Sequence, residues 1–341
     1  MKNKLILALT PGDPSGIGPE ITWKAIQSGY CEKNGIQLLC IGAKVPFQKL
    51  NAPIIEFSED NSYSENLKHQ RPFVWLYPAP EVCPEGLLLE GFQTGWSIRK
   101  ATELVLNRTA SALVTGPISK ERLQKGGFHY PGHTEFLAHL CQTSAGTPEV
   151  TMMLANQVLR VSLVTIHMSL QEVPAALSRK KVRRAILQTI EGLQKYWGIE
   201  KPQLAVTALN PHGGEGGRFG NEEIDIIYPE LNALSEEAKG QFTLFGPLPA
   251  DTLFAKHLLQ LPENQWDAVV CMYHDQGLIP VKLLDFHNTV NITLGLPIIR
   301  TSVDHGVAFD IVGKNIANAS SLKSAIKLAA QFAQRERKVR R

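Results

Sequence analysis

Three histidines stand just past apolar, strand-like runs: His167 after "LRVSLVTI", His212 shortly after "QLAVTALN", and His274 after "DAVVCMY". Taken singly, each is more simply a hydrogen-bonded surface residue, because imidazole fills many ordinary polar roles. Together, at the edge of a sheet where sites form, they suit a divalent transition metal with an open fourth position, zinc above all. Asp275 directly follows His274 and can serve as a base or orient that ring. No local spacing motif supports the set, so only the fold can bring it together.

Other strand ends carry further candidates. "PGHTEFL" places His133 and Thr134 as paired polar donors after Pro-Gly, and "VTGPISK" delivers Ser119 and Lys120. Lys282, Asn291 and Arg300 are candidates for substrate anions, since Lys and Arg are the usual partners of phosphate and carboxylate. "GDPSGIGPE" after the first strand lacks the spacing of a dinucleotide fingerprint. It reads equally as an anion-binding helix start and as a tight strand-to-helix turn.

The elements that must position these residues alternate between strand and helix through nearly the whole chain, the pattern of an α/β fold with a largely parallel sheet. Strands are expected at 5–10, 36–42, 112–116, 159–166, 203–209 and 267–273, and helices at 19–29, 94–107, 172–198 and 321–336. Within 172–198, Val182, Ile186, Ile190 and Leu193 fall at helical spacing and mark a core face. The stretch 51–90 is the least regular. In open parallel sheets ligands bind beyond the carboxyl ends of the strands, where these candidates cluster.

The bulk composition narrows the function classes. The chain has 341 residues, 43% hydrophobic and 20% charged, ordinary for a globular protein long enough for two domains. A formal net charge of +3 argues against nucleic acid or an acidic membrane surface as partner. Five scattered cysteines without C-x-x-C spacing suit reduced thiols, and no segment approaches the roughly 20 apolar residues of a membrane span. The short apolar start reads as a strand rather than a signal peptide, so a cytoplasmic location is expected.

The ordered set "TPGDPSGIGPE", "VTGPISK", "PGHTEFL", "NPHGGEGG", "GPLPADTLF", "YHDQGLIPVK" and "VNITLGLPIIRTSVDHGVAFDIVGK" resembles the 4-hydroxythreonine-4-phosphate dehydrogenase family of pyridoxal phosphate biosynthesis, from residue 10 to about 318. The resemblance implies NAD-dependent (NADP being the variant) oxidation of 4-phosphooxy-L-threonine. The unstable β-keto acid, 2-amino-3-oxo-4-phosphooxybutanoate, then decarboxylates to 3-amino-2-oxopropyl phosphate. It also implies a homodimer with its site shared across the interface, one metal ligand, His274, coming from the neighbouring subunit. Carried over residue by residue, the metal ligands fall on His167, His212 and His274, and the substrate contacts on His133, Thr134, Lys282, Asn291 and Arg300.

A more distant resemblance links "DHGVAFDIVGKNIAN" and "PGDPSGIGPE" to isopropylmalate dehydrogenases. It implies an α/β, two-domain isopropylmalate dehydrogenase-like fold with mostly parallel sheets and an active-site cleft between domains. Residues 1–130 with 290–341 would form the terminal, NAD-side domain, and 131–289 the dimer-interface domain. His305, Gly306, Asp310 and Asn318 would face the cofactor, with Asp310 toward the ribose hydroxyls. Isopropylmalate dehydrogenases hold their metal with aspartates, so the histidines here favour zinc over magnesium or cobalt. Lys282, Asp251 and Asp275 are the candidate bases. "GEGGRFGNEE" and the basic C-terminal tail carry no assigned role. Three rivals are a sister dehydrogenase acting on threonate or erythronate 4-phosphate or a carboxylated dihydrodiol, a zinc hydrolase using the same histidines, and a non-catalytic anion binder.

Overall fold

The computed structural model describes residues 5–57, 72–259 and 266–339. The chain forms two compact units, Met1–Glu149 with Leu296–Arg341, and Val150–Gly295. It leaves the first unit once and returns to it.

The first unit is built on six parallel strands: β1 (Leu5–Thr10), β2 (Ile36–Gly42), β3 (Ile54–Glu56), β4 (Val74–Pro78), β5 (Leu113–Thr115) and β12 (Arg300–Ser302). Their order is β3-β4-β2-β1-β5-β12. β2 is buried along its whole length, as a strand covered on both faces must be. The helix Leu89–Leu106 turns Ile98, Ala101, Leu104 and Val105 inward, and Ser320–Val339 buries Leu322, Ile326, Ala329 and Phe332. Their period of three to four gives each helix one apolar stripe.

The second unit holds β6 (Thr151–Ala155), β7 (Arg160–Leu163), β8 (Gln203–Thr207), β9 (Thr243–Leu248), β10 (Ala268–Cys271) and β11 (Val290–Leu294). The order is β11-β6-β7-β10-β8-β9. The β11–β6 and β6–β7 pairs are antiparallel; β7–β10, β10–β8 and β8–β9 are parallel. Val161, Leu163, Ala205, Val269 and Cys271 form the centre of its core, and Val182, Ile186, Ile190 and Leu193 are buried as their spacing predicts.

Three expectations need correction. Residues 131–149 belong to the first unit, not the second. Phe136, on the helix His133–Leu140, stacks on Tyr130 and meets Phe128, whose ring lies 6.2 Å from that of Phe92 on the long helix Leu89–Leu106. Residues 290–295 belong to the second unit, because β11 pairs with β6. The expected helix at 172–198 is also broken: Leu177 is extended, and Ser178 accepts the Lys181 N–H to start a new helix, Arg179–Gly192. Ser is a strong start signal inside an otherwise continuous pattern. The irregular region 51–90 contains β3 and β4; its residues 58–71 lie outside the described part. All five cysteines are free, and among the described residues no helix is long and apolar enough to cross a membrane.

Candidate active site

In the second unit, β7 and β10 stay paired past their formal ends. Val164 N–H donates to Cys271 O at 2.9 Å, and Thr165 donates to Met272 O through both N–H (3.1 Å) and hydroxyl (2.7 Å). The residues that follow are therefore held side by side, and the rings of His167 and His274 lie 5.5 Å apart between centroids. Two imidazoles sharing one tetrahedral zinc, at Zn–N of about 2.0–2.1 Å, hold their centroids roughly 5 Å apart. Ile166, Met168, Tyr273 and Asp275 join the two histidines around a recess of about 610 Å³.

His274 opens the helix His274–Leu284, and its Nδ1 lies 2.7 Å from Asp275 Oδ1. A neutral imidazole donating Nδ1–H to that carboxylate presents the Nε2 lone pair as a metal ligand. Asp275 thus occupies the orienting position rather than that of a free base. The donor set fits a zinc-type ion in kind and in the spacing of one pair.

His212 is the exception. Among the described residues no group of three or more His, Cys, Asp or Glu stands close enough to hold a metal. The fold therefore pairs His167 with His274 but does not add His212 to them within one chain. His212 lies beyond the end of β8, the neighbour of β10, in a loop whose backbone is left-handed at His212 itself (φ 54°). The loop is exposed, and its ring faces Phe219.

The start of that loop is pinned by Glu223, which is 1% exposed. Its carboxylate accepts the Leu209 and Asn210 N–H groups at 2.8 and 2.7 Å and the Asn210 side-chain amide at 3.0 Å. Glu223 lies in the "GEGGRFGNEE" stretch that has no role assigned from sequence. A glutamate just past a glycine-rich loop was the available signal, but nothing local marks it as buried.

The other expected residues of this unit are spread out. Asn291, on β11, has its amide oxygen sealed from solvent without a hydrogen-bond partner. Lys282 lies two turns along the helix from His274, its ammonium 5.8 Å from the Phe286 ring. Asp251 is exposed in the first turn of the helix Ala250–Leu259.

In the first unit, Arg300 at the start of β12 is 3% exposed, and its Nε and Nη2 both donate to Thr115 Oγ1, at 3.2 and 2.9 Å. Burial pushes its pKa down to about 10, against the opposing field of Glu135, so it stays charged at neutral pH. His133 begins the helix His133–Leu140, and its Nε2 is sealed from solvent and unpartnered. Burial, and then the Arg300 charge, hold His133 well below the usual imidazole range, so it is neutral. Thr134, half-buried, stands in the same first turn. A buried guanidinium beside a helix start is suited to phosphate or carboxylate.

The loop after β12 is held by the turn after β1. Ile17 N–H donates to Val307 O at 3.0 Å, and a Cβ on Gly16 would meet the same oxygen at 3.0 Å. On Gly12, whose φ is +93°, a Cβ would lie 2.0 Å from Pro117 O. These glycines serve close backbone approach, as a tight strand-to-helix turn at "GDPSGIGPE" requires. Along the loop, His305 Nδ1 meets Gly306 O at 3.0 Å, Gly306 is open on its Cα side, and the Asp310 carboxylate is exposed. An open glycine and an exposed carboxylate suit the edge of a nucleotide. Asn318 has its side-chain oxygen engaged by Ser320 N–H at the start of the last helix.

The model of the family "Pyridoxal phosphate biosynthetic protein PdxA" matches residues 90–329. The chain belongs to the PdxA family. A 4-hydroxythreonine-4-phosphate dehydrogenase of Caulobacter vibrioides is 44% identical over 340 residues, covering 96% of this chain and 98% of the relative. A Bradyrhizobium diazoefficiens relative, 42% identical over 347 residues and 96% of each chain, carries the name "Putative D-threonate 4-phosphate dehydrogenase". The crystal structure of 4-hydroxythreonine-4-phosphate dehydrogenase from Klebsiella pneumoniae aligns with a TM-score of 0.81 at 36% identity, over 97% of this chain and all of that one. Isocitrate dehydrogenase of Methylococcus capsulatus, 14% identical with a TM-score of 0.50, covers 98% of this chain and 88% of its own. This PdxA chain therefore has the mixed, mostly parallel α/β fold shared with that wider group.

Proposed function

We propose that this chain oxidises 4-phosphooxy-L-threonine with NAD, giving 2-amino-3-oxo-4-phosphooxybutanoate, which decarboxylates to 3-amino-2-oxopropyl phosphate. What carries the reading is the agreement of two things: nearly full-length relatives with that dehydrogenase name, and a buried, charged Arg300 beside a neutral His133, groups suited to an anion.

In the first unit, Arg300, His133 and Thr134 bind an oxyanion of the substrate, a contribution remote from the reacting carbon. His305, Gly306, Asp310 and Asn318 flank the cofactor, which supplies the hydride acceptor, with Asp310 toward the ribose hydroxyls. In the second unit, Asn291 offers an acceptor to the substrate, and Lys282 or Asp251 takes the hydroxyl proton. His167 and His274, with His212 or a histidine of a second copy as third donor, hold a divalent ion of zinc type, whose chemistry is Lewis acidity toward the substrate oxygen. A third donor from a second copy would make a homodimer with a shared site the working form. Asp275 keeps His274 in the tautomer such a site needs.

A second reading is the oxidation of D-threonate 4-phosphate, favoured by the Bradyrhizobium relative at 42% identity. The two substrates differ in an amine against a hydroxyl, so NADH formation with each, at matched concentrations, separates them. Faster turnover of 4-phosphooxy-threonine supports the first reading; turnover of threonate 4-phosphate alone moves the chain to the second.

A further inference from the structure

We infer that Gln276 is a positioning residue that locks the three histidine-bearing strand ends together; this rests on the metal reading of His167, His212 and His274. The parallel ladder of β10 with β7 runs to Cys271–Leu163, and that with β8 only to Val270–Val206. Beyond it the β7 side continues through backbone bonds, with Met272 O accepting Thr165 N–H and hydroxyl. On the β8 side a side chain replaces the missing rungs. Gln276 Oε1 accepts Met272 N–H at 2.7 Å and the Thr207 hydroxyl at 2.6 Å, while its Nε2 donates to Ala208 O at 2.7 Å.

Each anchored residue precedes a histidine by only a few positions: Thr165 before His167, Ala208 before His212, Met272 before His274. Gln276 is 8% exposed, Thr165 3%, and Thr207 and Met272 fully buried, so water cannot easily replace a lost bond. The chemistry calls for glutamine. A planar amide offers acceptor and donor on one group, a glutamate carboxylate lacks the donor, and asparagine is one methylene short. The neighbouring Gly277 keeps the helix close, since a Cβ there would lie 2.3 Å from Val161 Cγ1 on β7.

The test is Zn²⁺ affinity of the chelator-stripped full chain, measured by competition with a chromogenic chelator, for wild type, Gln276→Met and Gln276→Glu. The glutamate variant keeps shape and acceptor, so it serves if Gln276→Met does not fold. Both are expected to bind Zn²⁺ about 10- to 100-fold more weakly, as for loss of groups that orient metal ligands. Thr189→Val is the control. It removes the buried hydroxyl bonded to Ser162 Oγ and Ala185 O in the same unit, and is expected to lower stability while leaving Zn²⁺ affinity at the wild-type level. Wild-type affinity in a folded Gln276 variant overturns the inference, and so does an equal loss in Thr189→Val. If wild type takes up no Zn²⁺, the metal reading fails by itself, and a crystal structure of the Gln276 variant decides the positioning. Ala208 and Met272 still at their wild-type separation would overturn it; a β8 end displaced from Met272 would uphold it.

Discussion

Arg300 and Thr115 form a buried polar junction in the first unit: two guanidinium nitrogens converge on one hydroxyl, at 3.2 and 2.9 Å, with both residues out of solvent. Thr115 ends β5, and Arg300 opens β12 two register positions back along the pair. The hydroxyl therefore reaches along the sheet to a side chain that sequence separates from it by 185 residues. A guanidinium fixed this way is held in one orientation, as oxyanion binding requires.

Thr115→Val keeps shape and removes the acceptor. A lost hydrogen bond to a charged group costs about 1.5–3 kcal/mol when buried. Urea unfolding is expected to register a loss of that size, and the KM for the phosphorylated substrate to rise more than kcat falls. Thr115→Ser should recover most of both. An unchanged KM in the folded valine variant would mean that Arg300 does not meet substrate.

His133 gives stability a pH dependence whose sign follows from its depressed pKa. The unfolded chain takes up this proton as pH falls through about 6.5, while the folded chain resists it. More protons on the unfolded state mean that stability falls with falling pH, from about 6.5 down to the lower folded pKa. The slope is at most about 1.4 kcal/mol per pH unit for one group. His257, also held low by burial, acts with the same sign. The measurement is therefore the difference between wild type and His133→Gln in urea titrations at several pH values, and the variant is expected to lose less stability on acidification.

Asp275→Asn removes the charge that orients His274 across 2.7 Å. Zn²⁺ affinity is expected to fall by about 10- to 100-fold without a matching loss of thermal stability, because the carboxylate is 71% exposed. Equal affinity would place Asp275 outside the site.

Glu223→Ala leaves the Leu209 and Asn210 backbone N–H groups of the histidine loop without their acceptor, while the Asn210 amide keeps Glu222. A destabilisation on the order of 2–3 kcal/mol is expected, together with faster proteolysis between 211 and 220. Glu223→Gln retains one acceptor oxygen and should lie between wild type and alanine. A protease pattern identical to wild type would show that the loop is held by something else.

Much of this was legible in the sequence, for physical reasons. Strands β1 and β2 begin and end where the apolar runs do, because a buried parallel strand must be apolar throughout. The pairing of His167 with His274 follows from two strands ending alike on one sheet edge. Strand β9, "TLFGPL", was hidden because Gly-Pro breaks the apolar run. The boundary near 131 was misplaced because ring packing by Phe128 and Phe136 leaves no local mark. Thr115, Glu223 and Gln276 escaped for a shared reason: their importance lies in partners from other strands and loops, and an isolated Thr, Glu or Gln carries no signal of that.

The most direct test of the account is NADH formation from 4-phosphooxy-threonine by the full chain, with a chelator and with Zn²⁺ added back. The account predicts turnover that is lost on chelation and restored by Zn²⁺, with His167→Ala and His274→Ala inactive under both conditions. Turnover indifferent to the chelator, or undiminished in the two histidine variants, would contradict it.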